Sequence, residues 1–167
     1  MLITGRLTGQ GRSVRGATIS LFERTAAQPG WRPVGHETTG AGGSAVLTVS
    51  DLTTNATFLL TGPDGVHSQR VLVVVVPPVS VSLVSRPHGR GDVLTATSPL
   101  AAPGDAIVLQ IWSGAGWQSL RARRLDSAGQ ATFLVRPRPR ERVYRVVLRA
   151  TFVHGRSVSS PVLVPAR

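Results

Sequence analysis

The feature that most constrains this chain is an internal repeat. Laying Trp31-Arg-Pro-Val34 over Trp117-Gln-Ser-Leu120, 86 residues further on, brings Gly43 onto Gly129 and Ala45 onto Ala131 without a gap. Leu47 then falls on Phe133, Val49 on Val135 and Phe58 on Tyr144, and a glycine (Gly30, Gly116) precedes each tryptophan. Upstream, Gly16-Ala-Thr-Ile19-Ser-Leu21 matches Gly104-Asp-Ala-Ile107-Val-Leu109 after a two-residue length change. Downstream, Val66-His67 roughly matches Val153-His154. A unit that occurs twice in 167 residues is small, so each copy has at most a modest core of its own.

Inside each copy the apolar residues alternate. Ala17, Ile19 and Leu21 share one face while Thr18 and Ser20 share the other, and Val79-Ser-Val81-Ser-Leu83 repeats the pattern. Short runs of period two, separated by turn residues, are the mark of half-buried antiparallel strands. The pattern predicts strands over Leu2–Leu7, Ala17–Glu23, Arg32–Thr38, Ala45–Val49, Thr57–Leu60 and Gln69–Val76. In the second copy it predicts Val79–Val84, Val93–Thr97, Ala106–Trp112, Gln118–Arg124, Ala131–Val135, Tyr144–Thr151 and Ser157–Val164. Gly (18) and Pro (12) recur too often for a long helix, because proline removes a donor and glycine costs backbone entropy. The expected class is all-β: two tandem immunoglobulin-like antiparallel sandwiches, 1–76 and 77–167, joined by the stiff Pro77-Pro78 pair.

Three segments carry a resemblance: Ile3-Thr-Gly-Arg-Leu7, Arg12-Ser-Val-Arg-Gly-Ala-Thr-Ile-Ser-Leu21, and Thr39-Gly-Ala-Gly-Gly43 followed by an alternating strand. They resemble tandem bacterial Ig-like and carboxypeptidase-regulatory-like (prealbumin-type) β-sandwich domains, and the Gly-Trp step is similar to repeats of actinobacterial surface proteins. The second copy keeps Asp126-Ser-Ala-Gly129, where the first has Gly40 in the aspartate's place. In such a turn Gly supplies a positive φ and Asp accepts backbone N–H bonds. The resemblance implies a spacer, an adhesion module or a carbohydrate-associated accessory. The fold alone names no ligand.

Charge separates the two copies. All 19 basic residues are arginine, and 13 of them lie after Val76 against four acids, a net of +9; the first copy carries +2. The densest run is Arg136-Pro-Arg-Pro-Arg-Glu-Arg142. If extended, it puts Arg136, Arg138, Arg140 and Arg142 on one side as a guanidinium ladder, which Arg121, Arg123 and Arg124 would extend. Such a patch binds sulfate, phosphate or carboxylate groups on an anionic polysaccharide or phosphate polymer. The alternative is a solvated loop that keeps the protein soluble. Nucleic acid is a weaker partner here, because no aromatic side chains interleave with these arginines.

Catalysis has little support. The four histidines are scattered, there is no cysteine, and no zinc spacing, nucleophile elbow, P-loop or dinucleotide fingerprint occurs. The expectation is no enzyme, no metal and no cofactor. Trp31 and Trp117 hold equivalent repeat positions and read as structural, whereas Trp112 belongs to the second copy alone and is the candidate surface contact. Gly89-Arg-Gly-Asp92 contains the integrin-recognition tripeptide, a triplet that arises readily by chance in a chain rich in Arg and Gly. No apolar run is long enough to span a bilayer.

The expected role is a non-catalytic structural or adhesive module of a bacterial cell-surface or secreted protein, acting through protein partners or self-assembly. Anionic-polymer binding by the second copy is one alternative, and a virion component (tail or capsid decoration) is another. A native Met1 would place the chain in the cytoplasm or a virion; a Met1 standing where an export signal was removed would place it outside the cell.

Overall fold

The structure is a computed structural model that describes all residues except 86–90, 137 and 167. It separates into two compact units, Met1–Val75 and Val76–Arg167. Apart from one 3-10 turn at Pro63–Gly65, the regular elements among the described residues are all strands.

The first unit contains β1 (Leu2–Arg6), β2 (Thr8–Gly9), β3 (Arg12–Ser13), β4 (Thr18–Thr25), β5 (Arg32–Thr38), β6 (Ser44–Thr48), β7 (Ala56–Thr61) and β8 (Val71–Val73). One sheet has the order β5-β4-β7-β8; facing it is the two-stranded pair β1-β6. The sequence alternation becomes alternating burial: along β4, Ile19, Leu21 and Glu23 turn inward. The core gathers Leu21, Leu47, Ala56 and Phe58, with Ile3, Val49, Leu52, Leu60 and Val73 half-buried around them. Glu23 is buried and survives there because the Arg32 guanidinium donates to its Oε2 at 3.0 and 2.5 Å.

The second unit contains β9 (Ser80–Val84), β10 (Asp92–Thr97), β11 (Ala106–Trp112), β12 (Trp117–Arg124), β13 (Gln130–Val135), β14 (Arg142–Leu148), β15 (Ser157–Val158) and β16 (Val162–Val164). Its sheets are β13-β10-β9 and β12-β11-β14, with β15 and β16 both pairing with β14. All pairings are antiparallel, and the chain passes between the two sheets at β10–β11, β12–β13 and β13–β14, as in immunoglobulin-like sandwiches. Thirteen buried residues form its core, among them Leu94, Ile107, Leu109, Phe133, Val146 and Leu148, and Val79, Val81 and Leu83 pack against them from the β9 side.

The repeated glycines have a conformational reason. Gly43 and Gly129 sit at φ 72° and 68°, and a Cβ at either would come within 2.6 Å of a backbone carbonyl, that of Leu7 or Ser98. Asp126 caps the second of these turns, its Oδ1 accepting the Ala128 and Gln130 N–H groups at 2.9 Å.

Beyond shifts of one or two residues at strand ends, four features depart from the sequence reading. The valine run is a strand only over Val71–Val73, because the Val75 N–H is taken by Asn55 Oδ1 at 2.9 Å. The last strand is split: Pro161 has no N–H to give, so β15 and β16 pair separately with β14. The strand expected over 144–151 runs from Arg142 to Leu148, and the small β2–β3 hairpin was not anticipated. The Pro-Pro pair is tied down locally, with Pro77 buried and the Pro78 carbonyl accepting the Ser98 hydroxyl at 2.8 Å.

Candidate functional site

A sandwich has two lateral seams where one sheet's edge strand approaches the other's. On one side of the second unit these edges are β12 and β13. Arg121 pairs across the ladder with Leu109, and Arg123 with Ile107. Directly opposed residues share a face, so both arginines project on the side of the core residues, at the rim where the core opens to water. There Arg121, Arg136 and Arg138 line a cleft of about 400 Å³ with Leu109, Leu120 and Tyr144. The repeat shows how the cleft arose. At the 86-residue offset Arg121 corresponds to Gly35, Arg136 to Ser50 and Arg138 to Leu52. In the first unit Leu52 packs on the core cluster; in the second a cation stands in its place.

Tyr144 lies at the base of the cleft and is 5% exposed. Burial raises its phenol above the ordinary tyrosine value, the Arg142 and Arg138 charges oppose that shift, and Asp92 adds to it. At neutral pH the group therefore keeps its proton. Three guanidinium groups over a partly apolar floor can engage sulfate, phosphate or carboxylate groups by paired charge-assisted hydrogen bonds.

Not every predicted arginine joins this cleft. Bends at Pro139 and Arg140 interrupt the extended run, so the four-residue ladder does not form as one line; Pro137 lies outside the described residues. Arg140 and Arg142 are exposed but do not line the cleft, although Arg142 acts electrostatically on Tyr144. Arg123 stands exposed on the same strand face as Arg121. Arg124 is engaged elsewhere, donating to the Gly104 carbonyl at 2.7 Å. Tyr144 escaped the sequence reading because its repeat partner Phe58 made it look like a core ring; the hydroxyl was the signal available.

The repeat tryptophans Trp31 and Trp117 each lie beneath arginine side chains. Trp31 lies beneath Arg24 and Arg70, at 5.2 and 5.8 Å, and Trp117 beneath Arg145 at 4.1 Å. Arg145 is also a donor to Gln110 Oε1 at 2.8 Å; burial first and Arg156 second lower its pKa, from a value so high that it stays charged. Trp112 packs edge-on against Trp117, with centroids 5.4 Å apart, and keeps 41% of its surface exposed. The tripeptide reading fails on Asp92, which is fully buried at the start of β10, where no receptor reaches its carboxylate; residues 89 and 90 lie outside the described residues.

Among the described residues, no group of three or more His, Asp or Glu side chains is arranged to hold a metal ion. Among the described residues, no helix is long and apolar enough to cross a membrane.

The sequence matches no family model and no curated protein. Among solved structures the chain is similar to the tetra-tandem repeat in the extending region of a large adhesion protein, with a TM-score of 0.50 and 12% identity. That match covers 99% of this chain and 45% of the other, so the chain spans less than half of the structure it resembles. It is also similar to the chicken interferon gamma receptor alpha chain, with a TM-score of 0.45 and 10% identity over 92% of this chain and 87% of that one. At such identity the adhesion-protein likeness bears on the fold: an all-β chain of immunoglobulin-like sandwiches.

Proposed function

We propose that this chain is a non-catalytic structural or adhesive segment of a bacterial cell-surface or secreted protein, made of two domains, 1–76 and 77–167. The observation that carries this reading is the tandem pair itself, one sandwich pattern written twice and matched over 99% of its length by repeats of a large adhesion protein. The finer kinship, with prealbumin-type repeats of actinobacterial surface proteins, is supported by the turn motif recurring at Thr39–Gly43 and Asp126–Gly129. Such a segment works by geometry, holding or presenting other groups and pairing through exposed strand edges. Pulling single molecules between tethers at Met1 and Arg167 tests it. Two separate cooperative unfolding steps are expected; extension without a resisting step would contradict a load-bearing role.

A second reading has its own support. Three arginines brought to one cleft from two separate segments favour an anionic polymer as ligand of the second unit. Retention on heparin and on polyphosphate should fall steeply with salt, because binding releases counterions. The combined change of Arg121, Arg136 and Arg138 to Ser should remove most of that retention, while the same change at Arg12, Arg15 and Arg24 should not. Equal elution of the two variants would eliminate the cleft as a binding site.

A further inference from the structure

The two units differ at one strand. In the second, β10 is paired on both sides, with β13 through Leu94↔Phe133 and with β9 through Thr95↔Ser82. In the first, the equivalent strand β1 pairs with β6 through Ile3↔Leu47, and no described strand covers its other side. The equivalence is fixed by the bond at each strand's end: Leu7 N–H donates to Gly43 O at 2.8 Å, as Ser98 N–H does to Gly129 O at 2.9 Å. Backbone groups alternate sides along an antiparallel strand, so those of Leu2, Thr4 and Arg6 point away from β6. The backbone groups of their counterparts Val93, Thr95 and Thr97 likewise point away from β13, toward β9.

Where β9 would lie, the first unit has an open slot. A cleft of about 400 Å³ runs between the free edge of β1 and the β7–β8 side, lined by Ile3, Gly5, Leu60, Val66 and Val71. In the second unit β9 touches β10, β14 and β16, the counterparts of β1, β7 and β8. Its residues Val79, Val81 and Leu83 pack on the core, while Ser80 and Ser82 face outward. In the first unit the Leu60 side chain leans over Gly5 instead, and Leu2 at the edge is 67% exposed. The slot carries Arg6 and His67 and no carboxylate, which favours an uncharged or acidic occupant over a basic one.

We propose that the β1 edge of the first unit is a strand-acceptor site for an extended polypeptide segment that lies outside residues 1–167. Its ligand alternates branched apolar residues with small hydroxyl ones, as β9 does, and adds antiparallel to β1. Backbone bonds to Leu2, Thr4 and Arg6 hold it, and its apolar side chains complete the core above Gly5 and Leu60.

A peptide with the sequence of Pro77–Ser85 is the probe, added to the full chain. It should bind with one-to-one stoichiometry and protect the amides of Leu2, Thr4 and Arg6 from exchange. Replacing its three inward residues by serine should weaken binding at least about tenfold. Thr4→Pro should abolish binding while leaving β1–β6 intact, since the Thr4 N–H faces away from β6 and proline is tolerated on such an edge. Should that variant fail to fold, N-methylation of the peptide at the position of Ser82 should abolish binding and at Val81 should not. Binding that ignores the serine replacements or the position of the methyl group would overturn the proposal. So would protection of the three amides by self-association of the chain without peptide, since the acceptor would then serve a second copy.

Discussion

In the second unit β9 closes one seam of the sandwich, and thirteen buried residues gather behind it. In the first, the same seam stands open, and four fully buried residues form the cluster beside it. Burial of apolar surface is the main favourable term in folding, so a missing strand removes both backbone pairing and core. The histidines that match in the repeat diverge in the same direction. His154 is buried, its Nε2 2.5 Å from Asp105 Oδ2 and its Nδ1 3.1 Å from the Gly155 carbonyl, so both ring nitrogens face acceptors. His67 is exposed, and its Nδ1 contacts the Thr61 hydroxyl at 3.1 Å. One copy of the pattern has been finished as a closed domain, and the other keeps an edge available.

The largest effect should come from the smaller core. Phe58→Ala is expected to cost about 3–5 kcal/mol, enough to unfold the first unit at room temperature while the second keeps its own transition. Urea unfolding followed by Trp31 in one variant, and by Trp112 and Trp117 in another, separates the two. A single transition lost as a whole would mean that the units do not fold independently. Next in size, Asp105→Ala should cost the second unit about 3 kcal/mol, because it leaves His154 buried without its acceptor. The first unit's transition should not move. A loss shared by both transitions would blur the contrast between them.

The smallest effect is a pH dependence. Tyr144 has a raised folded value, so the folded state holds that proton more tightly than the unfolded chain. The stability this contributes is full below about pH 10 and is lost as pH rises from there through the folded value. Tyr144 is the only tyrosine, so phenolate absorbance reports it directly. Tyr144→Phe should flatten the alkaline decline of the second unit and leave the first unit's profile unchanged.

Much of the fold was legible because period-two alternation survives in almost every strand, and because Gly43 and Gly129 mark the same turn twice. What alternation does not encode is which edges meet. The cleft joins Arg121 to Arg136 and Arg138 across the seam between two sheets, a relation absent from any local spacing. The valine run reads as one strand through Val76, yet a single side-chain bond from Asn55 ends the pairing early. The open edge was partly visible: Leu2–Leu7 aligns with Val93–Thr97 rather than with Val79–Val84.

Residue-resolved amide hydrogen exchange on the unliganded chain tests the contrast most directly. Along β10, the amides of Val93, Thr95 and Thr97 should be protected by β9, and those of Leu94 and Ala96 by β13. Along β1, Ile3, Gly5 and Leu7 should be protected by β6, while Leu2, Thr4 and Arg6 exchange at nearly the rate of free chain. Equal protection of both sets in β1 would mean that its outer edge is already paired, and the difference drawn between the units would fall.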